Sequence, residues 1–217
     1  MSFEEPRRRM VTEQLQLRGI TDARVLAACL HIPRHAFVPP EFQGEAYADH
    51  PIPIGEGQTI SQPYMVALMT QLLRLQGHER VLEVGTGSGY QLAVLAELAL
   101  EVYSVERVPE LAQQAVERLQ QQGYLNVHVT TGDGSLGWPG EAPYEGIVVT
   151  AGTPRVPDML IEQLAEGGRL VIPVGSARAQ MLTLVHKRAG HLTVKDITRC
   201  VFVPLVGEQG WPESGET

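Results

Sequence analysis

The sequence predicts an α/β fold, a Rossmann-like domain in which a doubly wound, mostly parallel sheet carries helices on both faces. Three observations lead to this prediction: a glycine-rich turn follows an apolar strand pattern, apolar strands alternate with amphipathic helices, and a hairpin pattern ends the series. The 217 residues suffice for one sizeable domain, and a hydrophobic content of 43% can fill its core. We therefore expect one domain, with an N-terminal helical extension and a C-terminal antiparallel hairpin.

Residues 1–63 are predicted to form helices and a long loop that precede the core. Helical patterns span residues 6–17, which Gly19 stops, and residues 22–30, with Asp22 as N-cap. Six prolines between residues 32 and 63 exclude long helices there and favour an ordered loop that wraps the domain. An amphipathic helix then covers residues 65–75, and Ser61 is a good N-cap for it.

Residues 64–206 form the predicted Rossmann-like core, in which strands and helices alternate. The predicted strands are residues 81–84, 102–106, 127–130, 147–150 and 169–174, and the predicted helices are residues 91–98, 109–121 and 157–164. Residues 180–186 and 192–199 are predicted to form a hairpin about Ala189 and Gly190, which residues 201–205 extend. Residues 207–217 form a polar tail that we expect to be frayed.

The glycine-rich turn after the first core strand predicts a nucleotide-binding loop. Its glycines stand at positions 85, 87 and 89, and glycine permits both a left-handed backbone and close approach of a ligand. A dinucleotide fingerprint requires glycine where this chain has Tyr90, so the spacing argues against a pyrophosphate. Glu83 also disfavours a pyrophosphate but suits the ammonium or sulfonium end of S-adenosylmethionine. Glu106, at the end of the second strand, is placed to accept both hydrogens of a ribose diol.

Several polar residues are predicted to meet at the carboxyl ends of the strands, where ligands bind in such sheets. These are residues 83–89, Glu106, Asp133 and Thr150. Asp133 has a second interpretation, in which it stabilises the turn between its neighbouring glycines. Ser61 likewise has a structural interpretation as a helix cap, because the sequence shows neither a Gly-x-Ser-x-Gly elbow nor an evident histidine–acid partner for it.

Composition argues against several classes of protein. A formal charge of −8 gives no general attraction to nucleic acid or to anionic membranes. The N-terminus lacks the apolar core of a signal peptide, so we expect a cytoplasmic protein with no nucleic-acid or membrane partner. Cys29, Cys200 and the histidines show no metal-like spacing, and we expect both cysteines to be buried free thiols and no metal to be bound.

Residues 57–63, with the sequence Gly-Gln-Thr-Ile-Ser-Gln-Pro, together with the glycine loop resemble the protein-L-isoaspartate O-methyltransferases closely. Further similar segments cover nearly the whole chain, at residues 11–19, 33–39, 49–55, 132–134, 167–175 and 201–205. The resemblance implies a methyltransferase fold that uses S-adenosylmethionine and releases S-adenosylhomocysteine. It also implies that the acceptor is the free carboxylate of an isoaspartyl residue in a damaged protein or peptide, and we expect the enzyme to be a monomer.

The predicted site follows from this resemblance and from the strand ends. Ser61 is the predicted catalytic residue; the donor residues are Glu83, Gly85, Thr86, Gly87, Ser88, Gly89, Glu106, Asp133 and Gly134; and the acceptor residues are Thr59, Ile60, Ser61 and Val203. The chain departs from its relatives at Ser135, where a larger and often basic residue is usual, and at Gly152, where alanine is common.

The implied chemistry needs no strong base, because an isoaspartyl carboxylate is already ionised and in-line attack depends chiefly on alignment. Ser61 would orient that carboxylate. Two alternatives stay open. One is a methyltransferase for a small-molecule carboxylate or amine, and the other is a non-catalytic adenosine-nucleotide sensor or an NAD-dependent enzyme, which Tyr90 and Glu83 disfavour.

Overall fold

The computed structural model describes residues 2–213, and the chain begins there with helical elements. Helix α1 spans Glu4–Arg9, a π-helical segment follows at Met10–Leu15 and a 3-10 turn at Gln16–Arg18, and helix α2 spans Ala23–His31. The uniform helix predicted over residues 6–17 is wrong in this detail. Met10 and Leu15 are both fully buried, and the wider π turn places these residues, five apart, on one face. Gly19 ends the run and Asp22 caps α2, as predicted.

The proline-rich segment is ordered, but it contains a hairpin that was not predicted. Two 3-10 turns, Arg34–Phe37 and Pro40–Glu45, precede strand β1 at Ile52–Gly55 and strand β2 at Gln58–Ile60. Glu56 and Gly57 connect the strands, and both have positive φ, of 50° and 67°. Such two-residue turns match the twist of paired strands. Helix α3 follows at Pro63–Leu73.

The core alternates strands and helices as predicted. Its elements are β3 Arg80–Val84, α4 Tyr90–Ala96, β4 Glu101–Glu106, α5 Pro109–Gln121, β5 Val127–Thr131, β6 Tyr144–Val149, α6 Asp158–Gln163, β7 Leu164–Ser176, β8 Ala179–Arg188 and β9 His191–Cys200. The seven strands of this sheet lie in the order β5-β4-β3-β6-β7-β8-β9. Neighbours from β5 to β7 are parallel, whereas β7, β8 and β9 pair antiparallel. The predicted fold class is therefore confirmed.

Alternate residues of the strands pack on opposite faces of the sheet. In β3, Val81 belongs to the apolar cluster formed with α3, α4 and the N-terminal helices, whereas Leu82 belongs to a second cluster with Leu160 of α6. Both side chains are fully buried, and burial of such a side chain stabilises a fold by roughly 1.5–3 kcal/mol. Strand β3, which leads into the glycine-rich turn, is therefore anchored on both faces of the sheet.

The C-terminal segment, residues 201–213, differs most from the sequence prediction. Residues 201–205 do not extend the hairpin, because the Gly152 N–H donates to the Val203 carbonyl and the Leu205 N–H donates to the Gly152 carbonyl, both at 2.7 Å. The following residues are ordered up to residue 213, with the Trp211 indole donating to the Gly152 carbonyl at 3.1 Å. The expected fraying is therefore wrong for residues 207–213, and residues 214–217 lie outside the described part of the chain.

Two further observations bear on the class of protein. Cys29 is buried, Cys200 is half-buried, and both are free thiols. None of the helices within residues 2–213 has the length and apolar character that a bilayer span requires.

Candidate active site

A cavity of about 300 Å³ lies over the carboxyl ends of β3 and β4 and beside Thr150, which follows β6. This size suits a small-molecule site. The chain moves outward from β3 through β4 to β5 and then returns to the other side of β3 with β6, so the cavity lies at the topological switch point of the sheet. Most predicted site residues line it: Thr59, Ile60, Ser61, Gly85, Thr86, Gly87, Ser88, Glu106, Gly134 and Val203.

The glycine loop connects β3 to α4 and forms the floor of this cavity. Gly85 and Gly87 have φ values of 94° and 51°, a conformation that residues with a Cβ adopt only under strain. A Cβ on Gly85 would also collide with the Thr150 hydroxyl, which donates to the Gly85 carbonyl at 2.7 Å. The loop therefore has no side chains at Gly85 and Gly87, and the Thr150 hydroxyl, just after β6, fixes its backbone.

Glu106 ends β4 and lines the cavity while it is only 6% exposed. Its two carboxylate oxygens accept the Gly87 N–H at 2.8 Å and the Val108 N–H at 3.0 Å. Each carboxylate oxygen has further acceptor capacity beyond one hydrogen bond. The arrangement fits the predicted ribose-diol acceptor.

Glu83, a predicted donor residue, is not among the residues that line the cavity. Its side chain is fully buried and accepts the Ser104 hydroxyl at 2.7 Å, and that hydroxyl lies 2.6 Å from the Thr86 hydroxyl. Burial raises the pKa of Glu83 well above its ordinary value. The carboxyl group therefore supports Thr86 from behind the loop instead of presenting a charge to a sulfonium.

Gly89, another predicted donor residue, also lies outside the cavity lining. A Cβ at Gly89 would stand 3.3 Å from the Ala115 Cβ of α5. Gly89 therefore permits close packing of α4 against α5.

Asp133 is the third predicted donor residue that does not line the cavity. One carboxylate oxygen accepts the Ser135 N–H and hydroxyl at 2.8 and 2.7 Å, and the other accepts the Glu208 N–H at 2.7 Å. The Ser135 hydroxyl in turn accepts the Gln209 N–H at 2.9 Å. The alternative interpretation, in which Asp133 stabilises its turn, therefore fits, and the same carboxylate also anchors the C-terminal segment.

Ser61 lines the cavity, but it is not the N-cap of α3, so the structural interpretation of this serine is wrong. The N-cap is Gln62, which makes no side-chain capping bond, and Pro63 is the first helical residue. Because proline has no N–H, the first turn has one fewer donor to cap. Among residues 2–213, the one side chain that forms a hydrogen bond with Ser61 is that of Arg34, which donates to the Ser61 backbone carbonyl.

Sequence reasoning did not assign several other lining residues: Gly57, Gln58, Val66, Val84, Gln91, Val105, Arg107, Val108, Ala151, Pro204, Leu205 and Val206. Gln91 is the most polar buried member. Its Nε2 donates to the Thr70 hydroxyl at 2.9 Å, and that hydroxyl donates to the Val66 carbonyl. The Gln91 Oε1 is buried and has no hydrogen-bond partner among the described residues. The sequence signal for Gln91 as a site residue was its polar side chain within an otherwise largely apolar helix.

A Rossmann-like sheet with a glycine loop and a strand-terminal acid in one cavity indicates a nucleotide-binding enzyme. The glycines at 85, 87 and 89, with Tyr90 in place of a third dinucleotide glycine, favour the class of S-adenosylmethionine-dependent methyltransferases. Comparison with known proteins narrows this class. The family model described as protein-L-isoaspartate(D-aspartate) O-methyltransferase matches residues 6–210. The chain belongs to this family.

Individual relatives agree with the family match. The chain is 56% identical to protein-L-isoaspartate O-methyltransferase 1 of Syntrophobacter fumaroxidans, over 97% of this chain and 99% of that protein. It is 54% identical to the protein-L-isoaspartate O-methyltransferase of Methanoculleus marisnigri, over 94% and 93% of the two chains. A solved protein-L-isoaspartate O-methyltransferase superposes with a TM-score of 0.83 at 31% identity, covering 94% of this chain and 67% of the other.

A second solved structure bears on the cofactor. It is a protein-L-isoaspartate O-methyltransferase of Plasmodium falciparum in complex with S-adenosyl-L-homocysteine, with a TM-score of 0.81 at 26% identity over 92% of this chain and 98% of that chain. The predicted enzyme class and cofactor are confirmed by these relationships.

Proposed function

We propose that the protein transfers the methyl group of S-adenosylmethionine to the free α-carboxylate of L-isoaspartyl residues in damaged proteins and peptides. The proposal is carried by the position of Ser61. This residue lines the same cavity as the glycine loop and Glu106, and it does not cap helix α3. Family membership supplies the reaction class. The residues that line the cavity indicate which side chains bind the donor and which bind the acceptor.

On the donor side, we assign recognition to residues that line the cavity: Gly85, Thr86, Gly87, Ser88, Glu106 and Gly134. Glu106 would accept from the ribose hydroxyls while its bond to the Gly87 N–H keeps the loop in place. When bound, S-adenosylmethionine supplies an electrophilic methyl group on a sulfonium. Glu83 and Gly89 would act behind the loop, through Thr86 and through helix packing.

On the acceptor side, Ser61 would donate a hydrogen bond that orients the isoaspartyl carboxylate. That carboxylate has an ordinary pKa near 3.5, so no residue needs to remove a proton from it at neutral pH. This agrees with a cavity in which Glu106 is the sole acidic lining residue of the described chain and is held by two N–H groups. Alignment of oxygen, carbon and sulfur would then supply most of the rate, since well-oriented reactants gain roughly 7–11 kcal/mol over free ones.

We further propose that Thr59, Ile60 and Val203 hold the peptide around the acceptor carboxylate. Thr59 is exposed, Ile60 is buried and Val203 is half-buried in the C-terminal segment, and all three line the cavity. A site that accepts many damaged sequences must grip the backbone, and the extended strand β2, which holds Thr59 and Ile60, suits that purpose.

The product distinguishes this function from that of a small-molecule or nitrogen methyltransferase. With labelled S-adenosylmethionine and an isoaspartyl peptide, we expect a methyl ester that mild alkali releases as methanol while a succinimide closes. Label that is stable to alkali, or transfer to small carboxylates and amines but not to the peptide, would overturn the proposal. Cytoplasmic location, a monomeric state, absence of a nucleic-acid partner and the division into residues 1–63, 64–206 and 207–217 remain predictions.

A further inference from the structure

Arg34 is a fully buried cation that has no acidic partner among residues 2–213. Its exposure is 0%, and the titratable groups that face it are Tyr90, Cys29 and Tyr47, with no carboxylate among them. Removing a guanidinium from water costs several kcal/mol unless strong contacts replace the lost hydration. Arg34 must therefore make contacts that a neutral core side chain could not supply.

Those contacts join three separate parts of the chain. The Arg34 Nε donates to the Ala46 carbonyl at 2.7 Å, and the Nη2 donates to the Ser61 carbonyl at 2.8 Å. The guanidinium carbon lies 4.8 Å from the ring centre of Tyr90, the first residue of α4. The planar fork of arginine reaches two carbonyls in fixed directions while its face stacks on a ring, which lysine cannot do.

The position of this bond ties it to the reaction. The Ser61 carbonyl receives no other hydrogen bond from the described residues, and Ser61 lies between the end of β2 and the start of α3. Tyr90 follows directly after the glycine loop. A single guanidinium thus connects the backbone of the acceptor-side serine to the first residue after the donor loop.

We propose that Arg34 is a positioning residue, which sets the location of Ser61 relative to the glycine loop by holding the Ser61 carbonyl from a guanidinium stacked on Tyr90. The proposal rests on the proposed function, because it acts through Ser61. Arg34 itself does not line the cavity and touches neither donor nor acceptor.

The test is a double-mutant cycle with Arg34→Lys and Ser61→Ala. We expect Arg34→Lys to lower kcat for an isoaspartyl peptide by about 10- to 100-fold, since small displacements of reacting groups have effects of this size. The Kd for S-adenosylhomocysteine should stay within about twofold of wild type. In the Ser61→Ala background, Arg34→Lys should change kcat less than about twofold, because residues that act through one another are not additive.

Phe37→Leu is the matched control. Phe37 is buried in the same 3-10 turn and packs on the same ring, 5.6 Å from the centre of Tyr90, but it makes no hydrogen bond to Ser61. We expect this variant to lose thermal stability, because a smaller side chain replaces a buried ring, and to keep its kcat within about twofold, because the bond from Arg34 to Ser61 stays in place. A kcat loss in Phe37→Leu equal to that in Arg34→Lys would overturn the proposal, because any loosening of this region would then suffice.

A second variant covers the case in which Arg34→Lys does not fold. Replacement of Gln62 by its α-hydroxy acid turns the Ser61–Gln62 amide into an ester and weakens the Ser61 carbonyl as an acceptor while Arg34 stays in place. We expect kcat to fall while the Kd for S-adenosylhomocysteine is unchanged. An unchanged kcat in this ester variant would overturn the proposal.

The remaining outcomes separate this proposal from the proposed function. Additive losses in the cycle, or a parallel weakening of S-adenosylhomocysteine binding, would contradict positioning through Ser61 and leave the role of Ser61 intact. If Ser61→Ala alone left kcat unchanged, the role of Ser61 would be overturned first, and the role of Arg34 would be overturned with it.

Discussion

The carboxylate of Glu106 accepts the backbone N–H of Gly87 at 2.8 Å, so the last residue of β4 holds the middle of the loop that follows β3. The second carboxylate oxygen accepts the Val108 N–H at the start of α5. One side chain therefore connects two parallel strands at their carboxyl ends and faces the cavity between them. The shape of the donor loop and the recognition of the donor are thus linked through Glu106.

Glu106→Ala should weaken S-adenosylhomocysteine binding by about 1.5–3 kcal/mol, the usual scale for hydrogen bonds to a charged group. Glu106→Gln should lie between alanine and wild type, because the amide oxygen can still accept from Gly87. Titration calorimetry measures both, with Glu110→Gln, an exposed acid in the first turn of α5, as the control. Wild-type affinity in Glu106→Ala would remove this residue from the donor site.

Ser61→Ala should lower kcat by about 10- to 100-fold, because the hydroxyl orients the acceptor. The Kd for S-adenosylhomocysteine and the melting temperature should stay near wild type, because Gln62 and not Ser61 occupies the N-cap of α3. Calorimetry, thermal denaturation and single-turnover kinetics on one preparation measure all three quantities. Stability lowered by about 1 kcal/mol with normal turnover would instead identify Ser61 as a cap.

Asp133→Ala should loosen the C-terminal segment, because the Asp133 carboxylate accepts from Glu208 and Ser135. Loss of hydrogen bonds to a charged acceptor costs about 1.5–3 kcal/mol, so amide exchange at Glu208 and Gln209 should rise by at least about tenfold. Ser135→Ala removes the link to Gln209 and the hydroxyl bond to Asp133, but it leaves the bond from the Glu208 N–H to Asp133 in place and should give a smaller effect. Weaker donor binding with unchanged amide exchange would return Asp133 to the predicted donor role.

Glu83 should make stability depend on pH, because burial raises its pKa in the folded state. A folded state that holds a proton more tightly than the unfolded state loses stability as pH rises, starting at the ordinary carboxyl pKa of about 4.3 and ending at the raised folded value. Glu83→Gln cannot ionise. Its free energy of unfolding minus that of wild type should therefore increase with pH across this window.

Urea unfolding of Glu83→Gln and wild type at a series of pH values measures this difference. Glu117→Gln, an exposed position on α5, is the control and should show no such trend. A difference that stays constant, or that decreases as pH rises, would show that the Glu83 carboxyl is not held in its neutral form.

The core elements were predictable because their signals are local. The glycine turn and the period-two and helical patterns are read from neighbouring residues, and α5 begins and ends at the predicted positions, Pro109–Gln121. The hairpin about Ala189 and Gly190 follows from turn residues in the same way. These features depend little on tertiary contacts.

The missed features depend on tertiary contacts that no local pattern encodes. Glu83 lies in the predicted strand and Gly89 in the predicted loop, but Glu83 bonds to Ser104 and Gly89 packs on Ala115, and neither lines the cavity. One partner of Asp133, the Glu208 N–H, comes from a segment more than seventy residues later in the chain. The hydrogen bond from Arg34 to the Ser61 carbonyl likewise joins two separate segments of the chain, and no sequence pattern indicates that these two residues meet.

The central claim is that the site selects a carboxylate by its position on a held backbone. The most direct test offers the enzyme labelled S-adenosylmethionine with two synthetic peptides that differ only in one aspartyl or isoaspartyl linkage. Both peptides have the same atoms and net charge, so any discrimination must come from the geometry of the acceptor carboxylate. We expect efficient methylation of the isoaspartyl peptide alone, and equal labelling of the two peptides would show that the site does not select the carboxylate by its position.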